Sequence, residues 1–404
     1  LGHAKGKTKS KKIVKLTALA GAVLTSLGVS QMAQAGVDLG NSAVNISPNG
    51  TYNGSNSVGQ NSIVVGYQNT ANNEWGTTAL GANNTAIANS ALAVGNNNRA
   101  TKGAATAIGV SSIADGEASV AIGNVAQATQ IRATAVGNRA TATQDSASAF
   151  GNRANASAQF ATAIGDNSHA SAAAVAVGTH ANASHQDSIA IGNNASGAWT
   201  NAIAVGKDSV ASQDHALAMA TEAKAIGVQS VGIGSYSNAS ANSVVSIGQN
   251  SKAGGTGAGT AAVAVGYLAN ASAANTVAAG KSASASVDNA VALGVSSQAS
   301  ARNAAALGAY SNASGERAAA VGAVAKASGT ASFAGGTSAN ASGANSIAIG
   351  GSMEEKEIDD PDNPSKKKKV VLAAQAVGNN AIALGTKSTA TGNNSIAQGI
   401  SAVA

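Results

Sequence analysis

Apolar and small residues alternate along this chain in short bursts, each closed by a glycine. The clearest is Asn345-Ser346-Ile347-Ala348-Ile349-Gly350. Near-copies are Ala118-Ser119-Val120-Ala121-Ile122-Gly123, Asp187-Ser188-Ile189-Ala190-Ile191-Gly192 and Asn201-Ala202-Ile203-Ala204-Val205-Gly206. Branched residues two apart with a small residue between them have the period of a strand, whose successive side chains point to opposite faces. A weaker alternation lies between bursts: Thr179-His180-Ala181-Asn182-Ala183-Ser184 has alanines two apart, and His185-Gln186-Asp187 follows as a polar corner.

The closing glycine keeps a stride of 14, from Gly81 through Gly95, Gly109, Gly123, Gly137 and Gly151 to Gly165. One short step leads to Gly178, Gly192 and Gly206. Ala220 then takes the slot once, and a four-residue insertion precedes Gly266 before the stride resumes to Gly350. A fixed period overrides the expectation of two or three globular domains for 404 residues, because stacked repeats grow in one dimension. Fourteen residues are too few for a helix plus a strand but suit one coil of two strands and two turns. Coils paired in parallel at about 4.8 Å, about 23 of them, give a rod of roughly 110 Å. The only prolines, Pro48, Pro361 and Pro364, fall outside the regular units, as ladder hydrogen bonding requires. The fold expected is all-β, a parallel solenoid of 14-residue coils spanning residues 61–404.

Face assignment decides the state of assembly. Within Ser-Ile-Ala-Ile-Gly the Ile/Val pair points one way and the small residues the other. If the small face meets the alanines of the second strand, the interior is thin and the branched residues form a long apolar stripe outside. A stripe of that length exceeds what a soluble monomer exposes, so it calls for further copies of the chain. Ile122, Ile189, Ile191, Ile203, Val205, Ile347 and Ile349 then form the seam of a homo-oligomer. The alternative places Ile/Val inside a fatter monomeric solenoid.

The ends and one insert depart from the stride. Residues 1–35 read as the end of an export signal: a lysine-rich start, an apolar run from Leu16 to Val29, and Ala33-Gln34-Ala35 at the cleavage position. That run is too short to span a bilayer comfortably. The chain starts at Leu1 rather than Met and stops at Ala404 without heptads or membrane strands, so it reads as cut at both ends. Residues 36–60 are expected to cap the first repeats. Residues 352–372 carry Glu354, Glu355, Glu357, Asp359, Asp360 and Asp362 followed by Lys366 to Lys369, and read as a solvated loop thrown out from the stack.

Composition narrows the chemistry. The net charge of +6 comes from six lysines in the first 35 residues; 24 − 6 leaves 18 basic against 18 acidic residues, so no basic-chain argument for nucleic acid stands. With no cysteine there is neither a disulfide nor a thiolate site. His169, His180, His185 and His215 lack metal-ligand spacing, and no paired carboxylates, nucleophile elbow or phosphate loop appears. No enzyme, cofactor or metal is expected. Aromatics are 2% of the chain, so those at corners stand out as contact candidates: Tyr67, Tyr236, Tyr267 and Tyr310 just after closing glycines, and Trp75 and Trp199 before inner strands.

The Asn-Ser-Ile-Ala-Ile-Gly units at this stride resemble the head repeats of trimeric autotransporter adhesins, the YadA-like proteins of Gram-negative surfaces. The leader Ala4-Lys5-Gly6-Lys7-Thr8-Lys9-Ser10 is similar to the end of their long signal peptides. The resemblance implies a left-handed parallel β-roll, homotrimeric, held over the outer membrane by a coiled-coil stalk and anchor not present in this chain. It also implies binding of host matrix such as collagen, fibronectin or laminin, or of host cells. In that family motifs of this type are linked to collagen, which makes Asn345 and Ser346, at the polar start of the unit, contact candidates. Two other readings remain open: a spacer that projects a different binding domain, and an enzyme on a solenoid, which would need acids or bases in adjacent coils at one phase.

Overall fold

The structure is a computed structural model. It describes residues 61–71, 75–255, 261–352 and 372–404, together with the strands Gly36–Asp38, Val44–Ser47, Asn56–Ser57, Glu355–Asp360 and Asn363–Val371. The signal reading for residues 1–35 and the centre of the insertion before Gly266, residues 256–260, lie outside the described residues. The chain divides into two units, one ending at Ala118 and the other starting at Ser119. Each is a parallel β-solenoid, and no helix occurs among the described residues.

In the second unit, past the five-residue strand Val120–Asn124, the coils contribute a three-residue strand that ends just before the closing position and a two-residue strand after it. Ile189–Ile191 pairs in parallel with Val175–Val177 on one side and Ile203–Val205 on the other, in strict register. The short strands Asn182–Ala183 and Ser196–Gly197 pair the same way in a second ladder. Four side chains per coil point inward. For the coil closed by Gly206 they are Ala202 just before the long strand, Ala204 within it, and Ser209 and Ala211 beyond the glycine, all fully buried. The same phases hold alanine or serine nearly everywhere, because two strands this close leave room for little more. The largest apolar side chains inside are Val64 and Val244. The Ile/Val pair lies on the other face, which overturns the alternative of a solenoid filled with branched residues.

Corners set the stride. In most coils the backbone enters the left-handed region two residues past the closing position and again seven residues later: Asp208 at φ 56°, His215 at 59°, Glu222 at 55°, Gln229 at 56°. Departures from 14 are absorbed at corners and never inside a strand. After the 13-residue step Thr162 still partners Val175, and across the insertion Val245 still partners Val263.

The first unit differs at both its start and its interior. Val44–Ser47 pairs in parallel with Ile63–Tyr67, and Asn56–Ser57 with Thr70–Ala71, so the solenoid begins before residue 61. Gly36–Asp38 lies antiparallel on Val44–Ser47 and covers that sheet edge. Inside, three coils carry asparagine three residues past the closing glycine. Asn69, Asn84 and Asn98 are buried and linked: Asn84 Nδ2 donates to Asn69 Oδ1 at 3.0 Å, and Asn98 Nδ2 to Asn84 Oδ1 at 2.9 Å. Each amide also donates to backbone carbonyls on either side, Asn84 to Leu80 O at 2.9 Å and Gly95 O at 2.7 Å.

The expected loop at 352–372 is instead a hairpin. Glu355–Asp360 runs antiparallel to Asn363–Val371, with Glu357 the partner of Lys369 and Asp359 of Lys367. The solenoid continues past it, with Ile347 partnered to Ile382 and Asn340 to Gln375.

Candidate functional site: an apolar sheet face and its corners

The long-strand ladder of the second unit carries two outward columns. One runs in register from Val175 through Ile189, Ile203, Leu217, Val231, Val245, Val263 and Val277 to Val291. The other includes Ile191, Val205, Met219, Ile233, Ile247 and Val265, two residues further along each strand. Neighbours on adjacent rungs half-cover each side chain, yet Ile191 keeps 40% and Ile349 45% of its surface accessible. Of the seam residues expected from sequence, Ile122, Ile189, Ile203, Val205 and Ile347 are half-buried on this face, and none points into the coil. The face is polar at Thr134, Ser148 and Thr162 and continuously apolar from Val175 onward in the first column.

Corner residues divide by phase. Tyr67 is 49% exposed and Trp75 63% in the first unit; in the second, Tyr236, Tyr267 and Tyr310 are 50%, 44% and 62% exposed. Trp199 lies flat against His185 of the preceding coil, with ring centroids 5.4 Å apart and planes 11° apart, and is 42% exposed. Asn345 is exposed at φ 54°, and its Nδ2 donates to Asn380 Oδ1 at 3.1 Å. Ser346 is different. Its phase is that of the interior alanines, it is fully buried, and its Oγ has no hydrogen-bond partner, so it cannot touch a ligand on the outside of the coil. Its polarity suggested surface; its offset of four residues before the closing glycine decides otherwise.

These features define an all-β parallel repeat solenoid with an interior of small side chains. The YadA head domain repeat model matches in twelve segments between residues 100 and 404, including residues 100–126, 128–154, 225–251, 285–311, 313–339 and 376–404, and leaves residues 353–375 unmatched. The chain therefore belongs to the YadA head repeat family, the repeats of trimeric autotransporter adhesin heads. Comparison with curated proteins gives no match.

Proposed function

We propose that the chain is the non-enzymatic head of a Gram-negative surface adhesin, a left-handed β-roll exported through its N-terminal signal and assembled as a homotrimer. The carrying observation is the apolar double column on the long-strand face, too long and continuous to stay in water. Three copies meeting through Ile122, Ile189, Ile191, Ile203, Val205, Ile347 and Ile349 would bury it. The corners then stay outside, and Asn345, Tyr67, Tyr236, Tyr267, Tyr310, Trp75 and Trp199 are the positions offered to collagen, fibronectin, laminin or host cells. Binding of this kind is multivalent, with weak contacts repeated along three chains. Light scattering of the protein from Gly36 onward tests assembly, and a monomeric mass would refute it. Solid-phase binding to the three matrix proteins tests adhesion; failure on all of them favours the spacer.

A further inference from the structure

Among the outward rungs of the short strands in the second unit, lysine appears only from residue 224 onward. From Lys224 to Gln375 its residues are in-register partners on successive coils. Lysine stands at 224, 252 and 326, and every other rung bears an amide or a hydroxyl. The row faces out because the next residue in each strand is a buried alanine, Ala225, Ala253 and Ala327 after the lysines. All three lysines are exposed, and none has an acidic partner among the described residues. In Asn238, Asn312 and Asn340 the side-chain oxygen is buried and has no hydrogen-bond partner.

Charge along the unit supports a site here. Residues 119–222 hold four basic and six acidic side chains, whereas residues 223–352 hold six basic and two acidic, 6 − 2 = +4. Those two acids lie at the corner before the long strand and are engaged: Asp288 accepts the Ala274 N–H at 3.2 Å, and Glu316 pairs with Arg317 at 3.6 Å. Tyr236 and Tyr310 flank the row two residues before Asn238 and Asn312, next to the rungs of Lys252 and Lys326, and Tyr267 lies between them along the stack.

We infer that this row is a docking surface for a linear sulfated polysaccharide lying along the solenoid axis. Lysines two and five rungs apart are about 10 and about 24 Å apart at the strand spacing. Duplex DNA carries a charge every ~1.7 Å, so three such lysines neutralise too little of it. A sulfated glycan has wider-spaced charge with hydroxyls between, which the asparagine, glutamine and serine rungs can hydrogen-bond, and its sugar faces can lie on the exposed tyrosines. The inference rests on the adhesin reading only for its threefold repetition in a trimer; the row itself belongs to one chain.

The test is surface plasmon resonance of the full chain over immobilised heparin, with de-sulfated heparin and duplex DNA as comparison surfaces. Wild type is expected to bind heparin, to weaken steeply as salt rises from about 50 to about 400 mM, and to ignore the de-sulfated chain. The Lys224→Gln/Lys252→Gln/Lys326→Gln triple variant is expected to lose at least about tenfold in affinity, the scale of a few charge-assisted contacts. Arg132→Gln/Arg153→Gln, outside the row, is expected to match wild type. Circular dichroism checks the fold of the triple variant; should it misfold, protection of Lys252 and Lys326 of wild type from acetylation by bound heparin replaces it. No heparin binding, an unchanged triple variant, or equal binding to DNA overturns the inference. Collagen, fibronectin and laminin are run in parallel: loss of heparin alone sinks this row, and loss of the matrix proteins alone sinks the adhesin reading.

Discussion

The closing glycine is the position where one atom most clearly decides stability, and Ala220 is the natural experiment. At Gly308 the backbone has φ 140°, and an added Cβ would lie 2.4 Å from the carbonyl oxygen of Gly322 and 2.5 Å from its carbon. Carbon atoms pack at about 3.5–4.0 Å, so the coil beneath would have to move by about 1 Å. It is held in place, since Gly322 N–H donates to Leu307 O at 2.7 Å in the inter-coil ladder. An L-residue in sparsely populated backbone territory costs roughly 1–3 kcal/mol, and the clash adds to it, so Gly308→Ala is expected to destabilise by about 3 kcal/mol. Ala220 occupies the same phase at φ 114°, below the 136° of Gly206, while its N–H keeps the ladder bond to Val205 O at 2.7 Å. Ala220→Gly removes the strain of roughly 1–3 kcal/mol but adds about 0.4–1 kcal/mol of unfolded-state entropy, for a net gain of about 1 kcal/mol. Urea unfolding at one fixed protein concentration, followed by far-ultraviolet circular dichroism, reads both variants. Hydrogen exchange across residues 214–236 localises the second. A neutral Gly308→Ala, or an Ala220→Gly that unfolds earlier than wild type, refutes the reasoning.

Other substitutions test other layers of the same architecture. Asn84→Ala removes two carbonyl contacts and breaks the internal ladder on both sides; the corner can fall back on the alanine form used in later coils, so a loss of about 2 kcal/mol is expected, with faster amide exchange confined to residues 65–98. Ala204→Ile overfills the interior between Ala190 and Ala218 and is expected to cost about 3 kcal/mol in urea unfolding, whereas Ala→Ile at a solvent-facing phase is silent. Val205→Asp with Ile191→Asp leaves every interior position untouched; circular dichroism is expected to stay that of a β-protein while light scattering falls to a monomer, and an unchanged mass would remove the seam from this face. Tyr310→Ala, 62% exposed, is expected to lower matrix binding without shifting the unfolding midpoint; equal binding would dismiss that corner as a contact.

What sequence makes legible here is phase, and what it hides is anything whose residue type argues against its phase. The stride, the strands and the outward Ile/Val pair can be read because the interior accepts only small side chains, so Ala190, Ala204 and Ala348 mark the inner face without ambiguity. Ser346 shares that phase and is buried despite its hydroxyl. Asn69, Asn84 and Asn98 look like turn residues, yet each lies three residues after Gly66, Gly81 or Gly95, an offset held elsewhere by alanine and serine such as Ala195 and Ser209. The offset alone places them inside, where their amides bond the coils above and below. The left-handed corner positions escape notice for the opposite reason: Phe160, Tyr236 and Val324 adopt φ of 60°, 61° and 61° although their side chains disfavour it, because the ladders on both sides hold the turn. The charged insert hides its backbone pairing for a related reason, since a run of acids followed by lysines carries no strand period, yet Glu355–Asp360 and Asn363–Val371 form a hairpin. In a solenoid this thin, distance from the closing glycine outranks polarity. The candidate contacts follow from it: an outer-face residue can meet a ligand only if its phase is outward, as it is for Asn345 and Lys326 and is not for Ser346.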